Sequence, residues 1–246
     1  MFNQILVFVI LFVGVYSFKF PASIQQCKFG DTDCLRDVMT NVIQTQTSGN
    51  EEFALMPLDP LKLDKLSILQ NQNSPVSIRL SLFNVTLTGI KDIVITKVVG
   101  FEEIPMKSKF EVTGKTKRLT IFGKYILSGK ILFLPVTGNG NANFTFENVN
   151  IDIKVIPQTE MRDGKEYAPI KNVIVKFSTT KFTPHFTNLL VKNEGISNSL
   201  NALMQDNSYE LFKELKVPIE NAVSEVVRTV LSGPFGKFAY RDLFLP

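Results

Sequence analysis

Asn207–Ser232 reads NSYELFKELKVPIENAVSEVVRTVLS. Its apolar residues Leu211, Leu215, Ile219, Ala222, Val223, Val226, Val230 and Leu231 recur at three- and four-residue steps and fall on one face of an α-helix. Lys213, Lys216, Glu220, Glu225 and Arg228 lie largely off that face. At about 1.5 Å per residue such a helix runs for about 39 Å. Pro218 removes one backbone donor and is expected to kink it, and Gly233-Pro234 is expected to stop it. A shorter helix is expected before it, at Ser197 to Met204. A helix this long with one greasy face needs a large apolar surface to cover it.

Val76 to Val191 supplies that surface as strands. Apolar residues alternate in Ile78-Leu80-Leu82, Ile93-Ile95, Phe110-Val112, Tyr125-Leu127, Ile131-Phe133, Phe144-Phe146, Ile151-Ile153-Val155 and Val173-Val175-Phe177. The runs are long against a usual strand of about 5–6 residues. They are also interrupted: Gly114, Gly123 and Gly129 fall inside them, and the apolar phase flips between Leu82 and Val85 and between Phe146 and Val149. Interior glycines and phase flips mark bulges, which bend and twist a sheet. Gly138-Asn139-Gly140 and Arg162-Asp163-Gly164 are the turn candidates. Upstream, Leu35, Val38, Met39, Val42 and Ile43 keep a helical period, with Asp31 or Thr32 as cap and Thr47-Ser48-Gly49 as stop. A curved antiparallel sheet and a long amphipathic helix satisfy each other if the sheet wraps the helix. The expected fold class is therefore α+β.

The front of the chain points outward from the cell. Ile5 to Val15 is almost unbroken apolar sequence, and Val15-Tyr16-Ser17 suits cleavage after Ser17. The run is shorter than the about 20 residues of a spanning helix, so residues 1–17 are expected to be a signal peptide and 18–246 one secreted domain. The leader is atypical in carrying no lysine or arginine. The only two cysteines, Cys27 and Cys34, follow directly. In an oxidising compartment they are expected to pair, two free thiols in a reduced compartment being the alternative. A loop so short is stabilised by about 2.5 kcal/mol on the chain-entropy model, enough to pin a segment and not a domain. Asn84-Val85-Thr86 and Asn143-Phe144-Thr145 are sequons, usable where the asparagine faces solvent.

Charge and catalytic residues narrow the function. A net charge of +4 does not call for nucleic acid. Lys107, Lys109, Lys115, Lys117, Arg118, Lys124 and Lys130 are read first as a solvated sheet face, with contact to an anionic membrane or acidic partner as the alternative. His185 is the single histidine, which excludes a multi-histidine metal site. It is expected to be an ordinary, partly buried residue beside Phe186 and not a catalytic base. No Gly-x-Ser-x-Gly elbow occurs. Gly123 to Lys130 looks like a phosphate loop, but its spacing is wrong and Ile131 stands where Ser or Thr is needed. No catalytic residue, metal or cofactor is expected.

At this point the order of motifs resembles the insect takeout and haemolymph juvenile-hormone-binding protein family. The early Cys27 and Cys34 pair, Pro57-Leu58-Asp59-Pro60-Leu61 with Leu66-Ser67-Ile68, Val76 and Gly89, Phe186-Thr187-Asn188-Leu189-Leu190, Leu215-Lys216-Val217-Pro218-Ile219-Glu220, and the end at Leu243 to Pro246 carry it. Two cysteines look like the takeout branch, and Leu190 stands where phenylalanine is usual. The resemblance implies a TULIP-like fold, a long helix wrapped by a strongly curved sheet around an apolar tunnel. It also implies a secreted, monomeric carrier of a small lipophilic ligand such as juvenile hormone, another terpenoid or a fatty acid. Family roles extend to feeding, circadian rhythm and chemosensation.

Val38, Val42, Phe110, Val112, Phe122, Tyr125, Leu127, Phe133, Phe144, Phe146, Leu215 and Val223 are the candidate ligand-lining residues, with a packed core as the competing role for each. Tyr125, Asn148 or Thr116 are candidates to orient a head group. The alternative functions are an extracellular interaction protein with a filled core, acting on a receptor or membrane, and a lipid hydrolase built around His185.

Overall fold

The computed structural model describes residues 19–70, 76–107, 109–131, 134–190 and 194–246. The leader expected over residues 1–17 lies outside them, as does Phe133. Helix α1 spans Thr32–Thr45, and its N-cap Asp31 accepts a hydrogen bond from the Cys34 backbone N–H. Cys34 is joined to Cys27 with the Cα atoms 5.8 Å apart, so the bond ties the incoming chain to the first turn of the helix.

The sheet follows as β1 (Leu61–Leu69), β2 (Val76–Thr88), β3 (Val94–Val99), β4 (Phe110–Ile131), β5 (Leu134–Pro157), β8 (Ile170–Ser178) and β9 (Lys181–Phe186). Between β5 and β8 a separate ribbon pairs β6 (Glu160–Arg162) with β7 (Lys165–Tyr167). It turns through Asp163 and Gly164, both at positive φ, as the sequence indicates. The strand order is β1-β2-β4-β5-β8, with β3 on β4 and β9 on β5. All pairings are antiparallel.

Strands β4 and β5 form the spine. They stay in one register from Phe110↔Val155 to Ile131↔Leu134, a length of about 70 Å at 3.3 Å per residue. β2 pairs with one end of β4 and β3 with the other; β9 and β8 divide β5 in the same way. The bends lie where these partners change over. The expected phase flip after Leu82 is a register shift between Phe83 and Thr86 around Asn84, at φ 50°. Gly123 faces it, and a Cβ there would sit 3.0 Å from the Phe83 carbonyl. The flip after Phe146 contains Asn148 at φ 49°.

Gly138-Asn139-Gly140 is not a turn. These residues run inside β5, and the hairpin closes nearer Ile131↔Leu134. The glycines serve a close approach instead: a Cβ on Gly138 would lie 2.6 Å from the Leu189 carbonyl, and one on Gly140 2.6 Å from that of Thr187.

Helix α2 spans Glu194–Asp206 and α3 spans Ser208–Lys237. The long helix does not stop at Gly233-Pro234; it runs on to Lys237. Packing overrides the local stop signal here. Gly233 lies against the Ala54 carbonyl so closely that a Cβ would overlap it. Beyond the helix, Phe238 and Tyr240 are buried among aromatic neighbours. Leu211, Leu215, Ile219 and Ala222 of the expected stripe are buried, whereas Val226, Val230 and Leu231 are only half-buried.

Glu220, expected off the stripe, is 4% exposed. Its carboxylate accepts the Phe177 N–H at 3.1 Å and faces the Lys176 ammonium at 3.2 Å. One turn on, Ser224 Oγ accepts the Val175 N–H at 3.1 Å. β8 is the outer strand of the sheet, so α3 satisfies donors that the sheet edge leaves over.

Candidate functional site

The concave face of the sheet meets α2 and α3 in two different ways at its two ends. Toward the α1 end the interior is plugged by rings. Phe101 stacks on Phe110 at 4.3 Å, Phe110 on Tyr240 at 5.9 Å, and Phe29 on Phe244 at 4.3 Å. The Tyr240 hydroxyl donates to the Glu102 carbonyl at 2.8 Å. Burial raises the Tyr240 pKa well above the usual phenol range. The Leu245 N–H donates to the Cys27 carbonyl at 2.9 Å, which fastens the C-terminal tail to the disulfide segment.

At the other end a second group of rings, with Phe146 stacked on Phe182 at 4.9 Å and Phe144 edge-on to Phe186 at 5.2 Å, borders a cavity. Ile78, Leu80 and Leu82 of β2 enter it from one side, and Phe144, Phe146, Phe182 and Phe186 of β5 and β9 from the other. Leu211, Leu215, Ile219, Ala222 and Val223 of α3 and Met204 of α2 close it. α2 is held in place by Asn201, buried at 5% exposure. Its Oδ1 accepts the Phe186 N–H at 2.9 Å and its Nδ2 donates to the Phe186 carbonyl at 2.7 Å.

Every side chain in the lining is apolar. The cavity they enclose is small, about 50 Å³. A water needs about 10–15 Å³ by that measure, so the void has room for a few waters and not for a long chain. The continuous tunnel implied by the resemblance is here a narrow apolar seam.

Of the candidate lining residues, Leu127, Phe144, Phe146, Leu215 and Val223 border the cavity. Phe110 belongs to the aromatic plug. Val112 and Val38 pack half-buried against the common core, and Val42 on α1 is half-buried as well; none of the three borders the cavity. Phe122 faces the opposite way. It sits on the outer surface at 49% exposure because the inward phase of β4 changes between Thr116 and Leu119, so that Leu119, Tyr125 and Leu127 face inward and Phe122 faces outward. The rest of the lining was not among the candidates: Ile78, Leu80, Leu82, Ile131, Phe186, Leu211, Ile219, Ala222 and Met204 belong to elements the sequence indicates but were not singled out, and Leu66, Ile68, Ile121, Phe182 and Pro184 were missed outright. Their alternation pattern was visible only in part, and Pro184 belongs to no apolar run.

The head-group candidates are placed elsewhere. Tyr125 is buried, donates to the Thr187 carbonyl at 2.9 Å, and has its pKa pushed up to about 12 by burial. Asn148 is exposed and donates to Thr180 Oγ1 at 2.9 Å. Thr116 is buried outside the cavity lining. His185 is exposed on β9 opposite Asn143, so the partly buried placement expected for it is not observed. Asn84 and Asn143 both face solvent, as a used sequon requires. The seven basic residues from Lys107 to Lys130 are all exposed, as a solvated face requires. No helix among the described residues is long and apolar enough to cross a membrane.

This architecture is shared with solved structures. The crystal structure of Epiphyas postvittana Takeout 1 superposes with a TM-score of 0.75 at 21% identity, covering 91% of this chain and 100% of that one. The circadian clock-controlled protein daywake of Drosophila yakuba is 22% identical over 231 residues, covering 92% of this chain and 88% of that protein. Daywake of Drosophila melanogaster is 21% identical over the same length. The model of the haemolymph juvenile hormone binding protein family matches residues 6–245, nearly the whole chain. The chain belongs to the haemolymph juvenile hormone binding protein family.

Proposed function

We propose that this protein is a secreted, non-enzymatic carrier that takes a small hydrophobic molecule between α3 and the concave sheet, as a single domain over residues 18–246. The observation that carries the reading is the wholly apolar lining at the junction of β2, β5, β9, α2 and α3. A terpenoid or fatty-acyl guest with about 12–15 apolar carbons gains roughly 10 kcal/mol by leaving water. Association and ordering take back at least about 4 kcal/mol. The about 6 kcal/mol left, a Kd in the tens of micromolar at best, needs no polar anchor, in keeping with a lining that offers none. Met204 and the phenylalanine side chains are suited to the rearrangement that entry requires, methionine because its unbranched chain repacks readily.

Uptake of a fluorescent fatty acid by delipidated protein tests the proposal. Saturable uptake, competed by a terpenoid and weakened by Ala222→Phe, is expected. Absence of uptake at saturating probe overturns it. The small void favours a second reading, an extracellular interaction protein with a filled core. That reading gains if the probe is refused while the protein remains folded.

A further inference from the structure

A second concavity lies outside the sheet–helix interior and shares no lining residue with the cavity. β3 pairs with β4 only as far as Lys115, and β2 only as far as Thr120, so residues 116–119 of β4 have no strand partner on that edge. The connection from β2 to β3, a 3-10 turn at Ile90–Asp92, crosses this notch. The resulting groove has a volume of about 880 Å³, within the about 300–1,000 Å³ usual for small-molecule sites.

Its charge is one-sided. Lys91, Lys115, Lys117 and Arg118 line it against the single carboxylate of Asp92. Arg118 is shared with Glu147 at 3.8 Å, while the three lysines form no ion pair among the described residues. Other basic residues of the same strand, such as Lys124 and Lys130, line neither concavity.

We propose that this notch is a binding site for a phosphate-ester anion. Lysine ammonium groups are strong point-charge donors to phosphoryl oxygens, and a bounded groove suits a compact polyanion better than an extended acidic chain. The site is independent of whether the apolar cavity takes a guest. The same chemistry is offered by a soluble phosphate ester and by a phospholipid head group, and the two sources are separable.

Calorimetric titration with inositol hexakisphosphate tests the site, with vesicles of phosphatidylcholine containing phosphatidate as the lipid arm. The groove variant Lys115→Glu/Lys117→Glu is expected to lose about tenfold or more in affinity for the hexakisphosphate. Lys124→Glu/Lys130→Glu, with the same change in net charge, is expected to lose less than about twofold. Circular dichroism confirms that both are folded. Vesicle retention that the groove variant abolishes assigns the site to a lipid head group, and hexakisphosphate binding without retention assigns it to a soluble ester. No saturable binding, or equal losses in the two variants, overturns the proposal.

Discussion

Replacing Glu220 by leucine should unfasten the long helix from the edge of the sheet. In the native protein the carboxylate accepts the Phe177 N–H at 3.1 Å in a buried setting. Leucine keeps the volume but removes the acceptor, and a buried donor left unpaired costs about 1–3 kcal/mol. The contact with Lys176 adds little, because the lysine side chain is 67% exposed and pairs screened by water contribute at most about 1 kcal/mol. Relief of the buried carboxylate's own desolvation works in the opposite direction. A net loss of about 1–2 kcal/mol is therefore expected, a fall in Tm of roughly 2–8 °C for a chain of this size.

Glu220→Gln retains an oxygen for the amide and should lose less. The assay is urea unfolding of the two variants beside wild type, with hydrogen exchange followed at the Phe177 amide. That amide should lose protection in the leucine variant and keep most of it in the glutamine variant. Wild-type stability together with an unchanged Phe177 amide in Glu220→Leu would falsify the assignment of α3 as the cover of the β8 edge.

Removing the disulfide with Cys27→Ala/Cys34→Ala should cost about 2.5 kcal/mol, and hydrogen exchange should show added opening at Leu245, whose N–H donates to the Cys27 carbonyl. An unaltered tail amide would separate the bond from the tail. Phe122→Ala should stay within about 0.5 kcal/mol of wild type, because its ring is on the outer surface, whereas Phe144→Ala should cost about 3–5 kcal/mol; urea midpoints compare them. Burial pushes the pKa of the Tyr125 phenol up to about 12, from about 10 for a free phenol. Folding favours its neutral form, so the stability it contributes is complete below about pH 10 and lost as pH rises toward 12; absorbance titration and alkaline unfolding should coincide. Expression through a secretory pathway should place glycans on Asn84 and Asn143, and each Asn→Gln change should remove one step of gel mobility; no change in mobility means the sequon is unused.

What was legible in the chain is what depends on period alone. The stripe from Leu211 to Ala222 and the alternation along β2, β4, β5 and β8 specify helix, strands and facing sides without knowledge of neighbours. β1 escaped because its apolar residues change phase, from Leu61 and Leu63 to Leu66 and Ile68, around Asp64, which lies across from the Asn84 bulge. Gly138 and Gly140 were misread because a glycine that admits a crossing backbone looks, in one dimension, like a glycine that permits a turn.

The cavity is the harder case. Phe110 and Phe144 both point into the concave face and both meet other rings, and a two-residue period cannot say that only the cluster around Phe144 borders a void. That distinction is set by what crosses above each point of a strand about 70 Å long. The tail carrying Tyr240 and Phe244 crosses near Phe110, while the cavity that Phe144 borders is closed by α3 and by Met204 of α2, the helix held by Asn201. Replacing Asn201 by leucine should therefore loosen the cavity end without touching the ring stack. Faster uptake of the fluorescent fatty acid is expected, with unchanged exchange at the Tyr240 amide; equal loosening at both ends would mean that the interior opens as one unit.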